Sequence, residues 1–398
     1  MPGLRSLAEA QRLVLGRVER LPAESVPIGE AAGRILAEDA AATIDLPPFP
    51  SSAMDGYALR AADVPGTLPI VARVAAGRPA PRPLEPGEAM EISTGGVLPE
   101  GADAVVPIEY VVVHDNEIDV PETVVRGANV RPRGGDVRVG GPICIAGTRL
   151  SAARIGALAA AGLSAVACAR RPNVALLATG SELRAPGESL EPGQIYESNG
   201  LMLAAALASV GAKVERLPAV EDDEDAHRAA LARGLQADVL VTSGGVSVGP
   251  HDLVRTIEAE LGVEEVFWGI AVKPGKPVSF GVRDRTLVFG LPGNPVSSLV
   301  GAELLVKPAI LALQGLVDPL PAFAAGLLGA PLCRNDARDE LVRARSRVGE
   351  DGIVLDPVTG QESHMIVRAA GADALVLVPR GEGEIAAGSS VRYLPLSH

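Results

Sequence analysis

The chain has 398 residues, enough for two to four domains, and its 49 Asp+Glu against 36 Lys+Arg leave a net charge of −13. That sign opposes binding to duplex nucleic acid by counterion release, and one Trp, four Tyr and five Phe are too few for base-stacking platforms. No partner nucleic acid or membrane is expected: the nearest approach to a membrane span, Ile155 to Ala169, falls short of the ~20 residues a bilayer needs. The N-terminus lacks a signal-peptide layout and the cysteines Cys144, Cys168 and Cys333 are odd in number, so the expected location is cytoplasmic.

Leu7, Val14, Leu15 and Val18 are spaced for an amphipathic helix within Leu4 to Arg20. Three prolines in the stretch Leu46 to Ser52 predict an extended surface loop. Short apolar stretches such as Ile70 to Val74 and Ala104 to Val106 then alternate with Gly, Pro and Asp turns, which reads as a small inserted β domain over 46–136. Ser151 should cap a helix running to Ala161, with Gly162 ending it. That helix is expected to pack with the N-terminal one, so that 1–45 and 137–171 form an elongated linking domain.

The rhythm changes over 172–318. Val174 to Leu177 is a strand, and Ser198 should cap a helix ending at Gly211. Val214 to Leu217 follows, then a helix opening on the acidic run Glu221 to Asp225. Val239 to Val241 and Leu287 to Phe289 are all apolar, as strands covered on both faces are. The alternation predicts an α/β multidomain chain with a doubly wound parallel sheet domain. From Pro319 the sequence alternates again, with Val342 to Val348 turned at Glu350-Asp351-Gly352 into Ile353 to Leu355, so 319–398 reads as a C-terminal all-β domain.

In an open parallel sheet ligands bind beyond the carboxyl ends of the strands. Four loops there are rich in Gly, Pro, Ser and Thr: Thr179-Gly180-Ser181-Glu182-Leu183, Thr242 to Gly249, Lys273-Pro274-Gly275-Lys276-Pro277, and Leu291-Pro292-Gly293-Asn294-Pro295. Their backbone amides, with helices expected to start at Pro250 and Pro295, describe a phosphate or oxyanion site in which Thr179, Gly180, Ser243, Gly244, Gly245 and Ser247 bind substrate. Two of only four lysines, Lys273 and Lys276, share one of these loops. Glu182, Asp222 and Asp252 lie in or after the loops and make a suitable metal set for Mg2+, although carboxylates at helix starts are also common caps. HExxH, CxxC, GxGxxG and a P-loop are absent, which disfavours zinc hydrolysis, dehydrogenase and standard NTPase chemistry.

Several strings, in order, resemble the molybdopterin molybdenumtransferase family, the MoeA-like enzymes and the E domain of gephyrin. They are Pro47 to Ala58 (PPFPSSAMDGYA), Ser93 to Gly96 followed by Pro99 to Val106, Asn129 to Asp136, and the four loops already quoted. The resemblance implies a molybdopterin-binding type of sheet domain and the last step of molybdenum cofactor synthesis. Adenylylated molybdopterin and molybdate would be the substrates and AMP would be released, with Mg2+ neutralising charge.

By the same resemblance Asp55 and Thr94 belong to the inserted domain's share of the site, with Arg131 and Asp136 at its edge. Glu182, Asp222, Asp252, Lys273, Lys276, Pro292 and Pro295 come from the sheet domain and Ser363 from the C-terminal one, with Asp55, Glu182, Asp252 and Lys273 in catalytic roles. The resemblance also implies a homodimer with shared sites, and allows contact with the molybdopterin adenylyltransferase. Two departures stand out: many members carry a lysine where this chain has Gly269, and an acidic residue where it has Ser181. The competing readings are a gephyrin-like scaffold and an adenylyltransferase or related hydrolase, the latter lacking the inserted domain that carries Asp55.

Overall fold

The structure, a computed structural model, describes residues 4–219, 223–245 and 253–396. The chain divides into one unit made of the residues up to Glu24 together with Ala169 onward, and a second over Ser25–Cys168.

In the second unit six strands form an open sheet in the order Ala104–Pro107, Gly56–Leu59, Ala89–Ile92, Gly66–Val74, Glu117–Val120, Val112–His114. Tyr57, Leu59, Leu68, Val106, Ile118 and Val120 are buried inside it. The proline-rich stretch is a loop as expected, but only as far as Pro50. Ser51 and Ser52 have amides to donate, and they pair antiparallel with Val130 and Arg131 and are buried. The helix Ala152–Ala160 has Ser151 as its cap, the hydroxyl accepting from the Arg154 amide. It packs with Val26, Ala31, Leu36, Leu150 and Cys168.

The N-terminal helix does not pack there. It is shorter than expected, Leu7–Leu15, because the chain turns at Gly16, whose amide donates to the Arg12 carbonyl. Its buried residues Ala10 and Val14 join the core of the first unit, and Gln11 donates to the Leu304 carbonyl (3.0 Å). The small Ala10 side chain lets this helix sit close to the helical run Pro295–Leu313, so the expected pairing with the Ala152–Ala160 helix is replaced by one within the sheet domain.

The first unit is built on a six-stranded sheet: β1 Asn173–Ala178, β2 Lys213–Arg216, β3 Val239–Ser243, β4 Glu264–Trp268, β5 Ser279–Arg283 and β6 Thr286–Leu291. The order is β2-β1-β3-β6-β5-β4. The first four are parallel, as expected, but β5 and β4 run in antiparallel pairs. The two-residue turn Asp284-Arg285, with Asp284 at φ 52°, is too short for a crossover and folds β6 back as a hairpin. Between strands run the helices Asn199–Ala208, Glu224–Gly234 and Leu253–Glu260.

Capping follows local carboxylates. Asp223 accepts from the Ala226 amide (2.7 Å) at the start of the Glu224 helix. At the Asn199 helix Ser198 makes no side-chain cap, and the role passes to buried Glu197, which accepts from the Gly200 amide (2.6 Å) and from Arg216 (3.2 Å). A charged acceptor suits the positive end of a helix better than a hydroxyl.

The run Pro295–Leu313 is long and apolar enough to cross a membrane by length and composition, a candidate the sequence reading passed over for Ile155 to Ala169. Glu303 and Lys307 interrupt the stretch and pair with each other one turn apart, and 72% of its most apolar 18 residues are buried.

At the amino end of the sheet Arg170 grips Asp238 through two 2.7 Å hydrogen bonds, and the Asn173 amide adds a third (2.8 Å). Burial pushes the Asp238 carboxyl up, yet these hydrogen bonds and the Arg170 charge together hold it below the ordinary aspartate value. A carboxylate held low contributes stability above its unfolded pKa of about 4, and that stability is lost as pH falls through the folded value. In urea unfolding, the advantage of wild type over Asp238→Asn should therefore be constant near neutrality and shrink steadily from about pH 4 downward.

The C-terminal strands close into a ring: Asp339–Gly349, Gly352–Pro357, Ala324–Leu328, Ser390–Pro395 and Ala374–Val378, the last pairing back to the first. The expected hairpin at Glu350-Asp351 is present, with Gly349 paired to Gly352. Leu328, Val342, Leu355 and Val376 fill the barrel.

Candidate functional site

Parallel register brings the ends of β1, β3 and β6 level, since Ala178 pairs with Ser243 and Ser243 with Leu291. Trp268 pairs with Ser279, and Ser279 with Gly290, so the 269–278 connection leaves from the same edge. All four glycine-containing loops therefore emerge side by side.

They are also tied together. The Thr179 amide donates to the Ser243 carbonyl (3.1 Å), and the Gly244 amide to the Leu291 carbonyl (3.1 Å). Asn199 spans two loops at once, its Nδ2 donating to Ser243 Oγ (2.9 Å) and to the Gly293 carbonyl (2.8 Å). Ser298 closes the far side by donating to the Pro292 carbonyl. Thr242, fully buried, keeps its hydroxyl without a hydrogen-bond partner among the described residues. Asn199 escaped the sequence reading because its neighbours looked like an ordinary helix start; only the fold sets it beside Ser243.

Glu182 is exposed and its carboxylate folds back over Gly180, whose added Cβ would lie 2.5 Å from Glu182 Oε2. Pro295 occupies the first turn of a helix, where its missing amide costs nothing, and Pro292 acts through its carbonyl. Ser363 reaches the same helix start through its backbone: its carbonyl accepts from the Val296 amide (3.1 Å). Asp222, Ser247 and Asp252, and the expected helix start at Pro250, lie outside the described residues.

The two loop lysines are not equivalent. Lys276 is exposed and makes no ion pair among the described residues, whereas Lys273 pairs with Glu340 of the C-terminal barrel (3.0 Å). At Gly269 the backbone has φ +87°, and a Cβ would meet Leu4 Cδ2 at 2.8 Å, so any other side chain there needs a left-handed backbone and a shift of the exposed Leu4 side chain.

In the second unit Asp55 and Thr94 meet, the Thr94 amide donating to Asp55 Oδ1 (2.8 Å), and both are exposed. Arg131 lies in the two-residue strand paired with Ser51–Ser52, and the Asp136 amide donates to the Leu46 carbonyl (2.9 Å). Their neighbour Asp45, which the sequence reading did not single out, accepts from the Val139 amide (2.8 Å) and from Arg133 (2.7 Å). The Val139 amide first, then Arg133, holds its carboxyl below the usual aspartate range.

For a cation the described residues offer Glu182 alone of the three expected ligands, and no group of three His, Cys, Asp or Glu side chains gathers among them. This does not make a Mg2+ cradle by itself.

Comparison with known proteins reads the same residues as a family. The model described as the MoeA N-terminal region (domain I and II) matches residues 5–162, the probable molybdopterin binding domain 175–312, and the MoeA C-terminal region (domain IV) 325–396. The chain belongs to the MoeA family. Molybdopterin molybdenumtransferase 2 of Mycobacterium tuberculosis is 34% identical over 99% of this chain and 100% of its own length. The molybdopterin molybdenumtransferase of Haemophilus influenzae is 35% identical over 96% of each. A crystal structure of the molybdopterin biosynthesis MoeA protein from Pyrococcus horikoshii superposes with a TM-score of 0.86 at 27% identity, covering 99% of this chain and 100% of that one. Within this MoeA chain, Asp55 and Thr94 fall in the N-terminal match, the four loops in the molybdopterin-binding match, and Glu340 and Ser363 in the C-terminal one.

Proposed function

We propose that the chain is a molybdopterin molybdenumtransferase that takes adenylylated molybdopterin and molybdate, inserts the metal into the pterin dithiolene and releases AMP. The observation that carries this reading is the cross-linked set of loops at the carboxyl edge of the sheet. Gly-rich backbone at a helix start suits a phosphate or a tetrahedral oxyanion. In an acidic chain, a local cation is needed to draw such an anion in, and exposed Lys276 meets that need.

The test is direct. Purified protein given adenylylated molybdopterin should release AMP only when molybdate is added; release without molybdate, or none in its presence, overturns the reading. Lys276→Ala should raise the KM for the pterin substrate by about tenfold, the scale of one lost charge contact, while Lys213→Ala, at the start of β2 on the opposite edge, should leave it unchanged.

Mg2+, a cytoplasmic location, a homodimer and contact with the molybdopterin adenylyltransferase are implied by the resemblance and form part of the same proposal. For the dimer, mixing an Asp55→Asn subunit with a Lys273→Met subunit should restore up to about half of wild-type activity if each site draws on two chains, and nothing if it draws on one.

A further inference from the structure

We infer that Glu340 of the C-terminal barrel is the positioning residue for Lys273, so that the barrel is a working part of the reaction site. The inference rests on the function proposed above. Val272–Lys273 is a two-residue strand that leaves the sheet domain and pairs in parallel with the first strand of the barrel, setting Lys273 directly beside Glu340. The Asp339 amide donates to the Ala271 carbonyl (3.1 Å) and locks that register. Glu340 is mostly buried at 14% exposure, whereas the Lys273 side chain is 44% exposed, and Nζ lies 3.0 Å from Oε1. A buried carboxylate thus holds one end of a lysine whose other donors still face outward.

A free lysine must give up rotamer entropy when it is fixed on a substrate. Tethering it beforehand removes that cost and aims the ammonium. The neighbouring Lys276 has no such tether among the described residues, which separates a fixed cation from a recruiting one. With its lysine half-exposed, the pair contributes little to stability, so its value lies in orientation.

A double-mutant cycle tests it. Glu340→Gln keeps size and strand pairing but loses the charge; it should lower kcat/KM for molybdate-dependent AMP release about tenfold, mostly through kcat, with Tm nearly unchanged. In a Lys273→Met background the same change should cost less than about twofold, and Glu340→Asp should recover part of the loss. Equal losses in both backgrounds would mean that Glu340 serves only the barrel, and overturn the inference.

A second readout needs no turnover. With lysine labelled at 13Cε, the four lysines give at most four signals, and Lys273→Met identifies one of them. That signal should relax as a restrained group in wild type and like the Lys213 signal in Glu340→Gln; no change on removing Glu340 also overturns the inference. If wild type releases no AMP, the functional reading fails while this spectroscopic arm still decides the tether.

Discussion

Gly244→Ala is expected to lower molybdate-dependent AMP release by about a hundredfold, the scale on which small misplacements of a reacting group cost rate. Gly244 sits at φ +98°, and a Cβ there would lie 2.6 Å from the Thr179 carbonyl oxygen and 2.9 Å from its hydroxyl. The nearest of these atoms is backbone, so it cannot swing aside. Either the Thr179 loop or the Gly244 loop must move, which breaks the amide link from Thr179 to Ser243 that sets their spacing. Gly187→Ala is the matching control, since Gly187 has the same φ of +98° but nothing within 4 Å of the added carbon. Both variants bear the left-handed backbone cost of about 1 kcal/mol, and only Gly244→Ala adds the collision. AMP release and urea midpoints for the pair separate the two terms. Comparable activity in both variants would show that the closeness of these loops does not matter to the chemistry.

The elements legible in the sequence are those whose cause is local. Ser151 caps its helix with its own hydroxyl, Val239 to Val241 is buried on both faces, and Gly352 pairs across the hairpin beside it. The four loops could be found because each directly follows a strand. What stayed hidden depends on partners far along the chain. The N-terminal helix has an apolar stripe that fits more than one surface, and the core around Leu304, some 290 residues away, takes it. The antiparallel β5–β6 hairpin hides behind Asp284-Arg285, which lacks the glycine that usually marks so short a turn. Asn199 and Glu340 were invisible as site residues for the same reason, since neither has a motif and each acquires its role from a contact made only after folding.

Arg343→Met should cause the largest loss of stability of any single change considered, about 3 kcal/mol or more, for a reason confined to one buried side chain. Arg343 is 2% exposed, on the first barrel strand. Burial lowers the pKa of its guanidinium and nearby Glu362 opposes that shift. Among the described residues it has no ion pair but a ring of neutral acceptors: the Gly360 carbonyl (2.9 Å), those of Glu362 and Met365 (both 3.3 Å), and Gln361 Oε1 (3.2 Å). Gln361 in turn donates to the Arg343 and Val358 carbonyls (2.9 and 2.8 Å), so one arginine folds the entire 358–365 loop around itself. Methionine fills the volume but leaves those carbonyls unpaired, each at a cost of about 1–3 kcal/mol unless water reaches it. The expected fall in Tm is roughly 6–12 °C by calorimetry for a cooperative unit of about 250 residues, the size of the one that holds the barrel. Arg343→Lys should recover less than half, because a single ammonium cannot serve acceptors spread around a planar fork. The loop also carries Ser363, whose carbonyl meets the Val296 amide at the helix start, so limited proteolysis should cut Arg343→Met within 358–365 before wild type is touched. A Tm within about 2 °C of wild type would mean that the loop is held by its own backbone and that the buried arginine is dispensable to it.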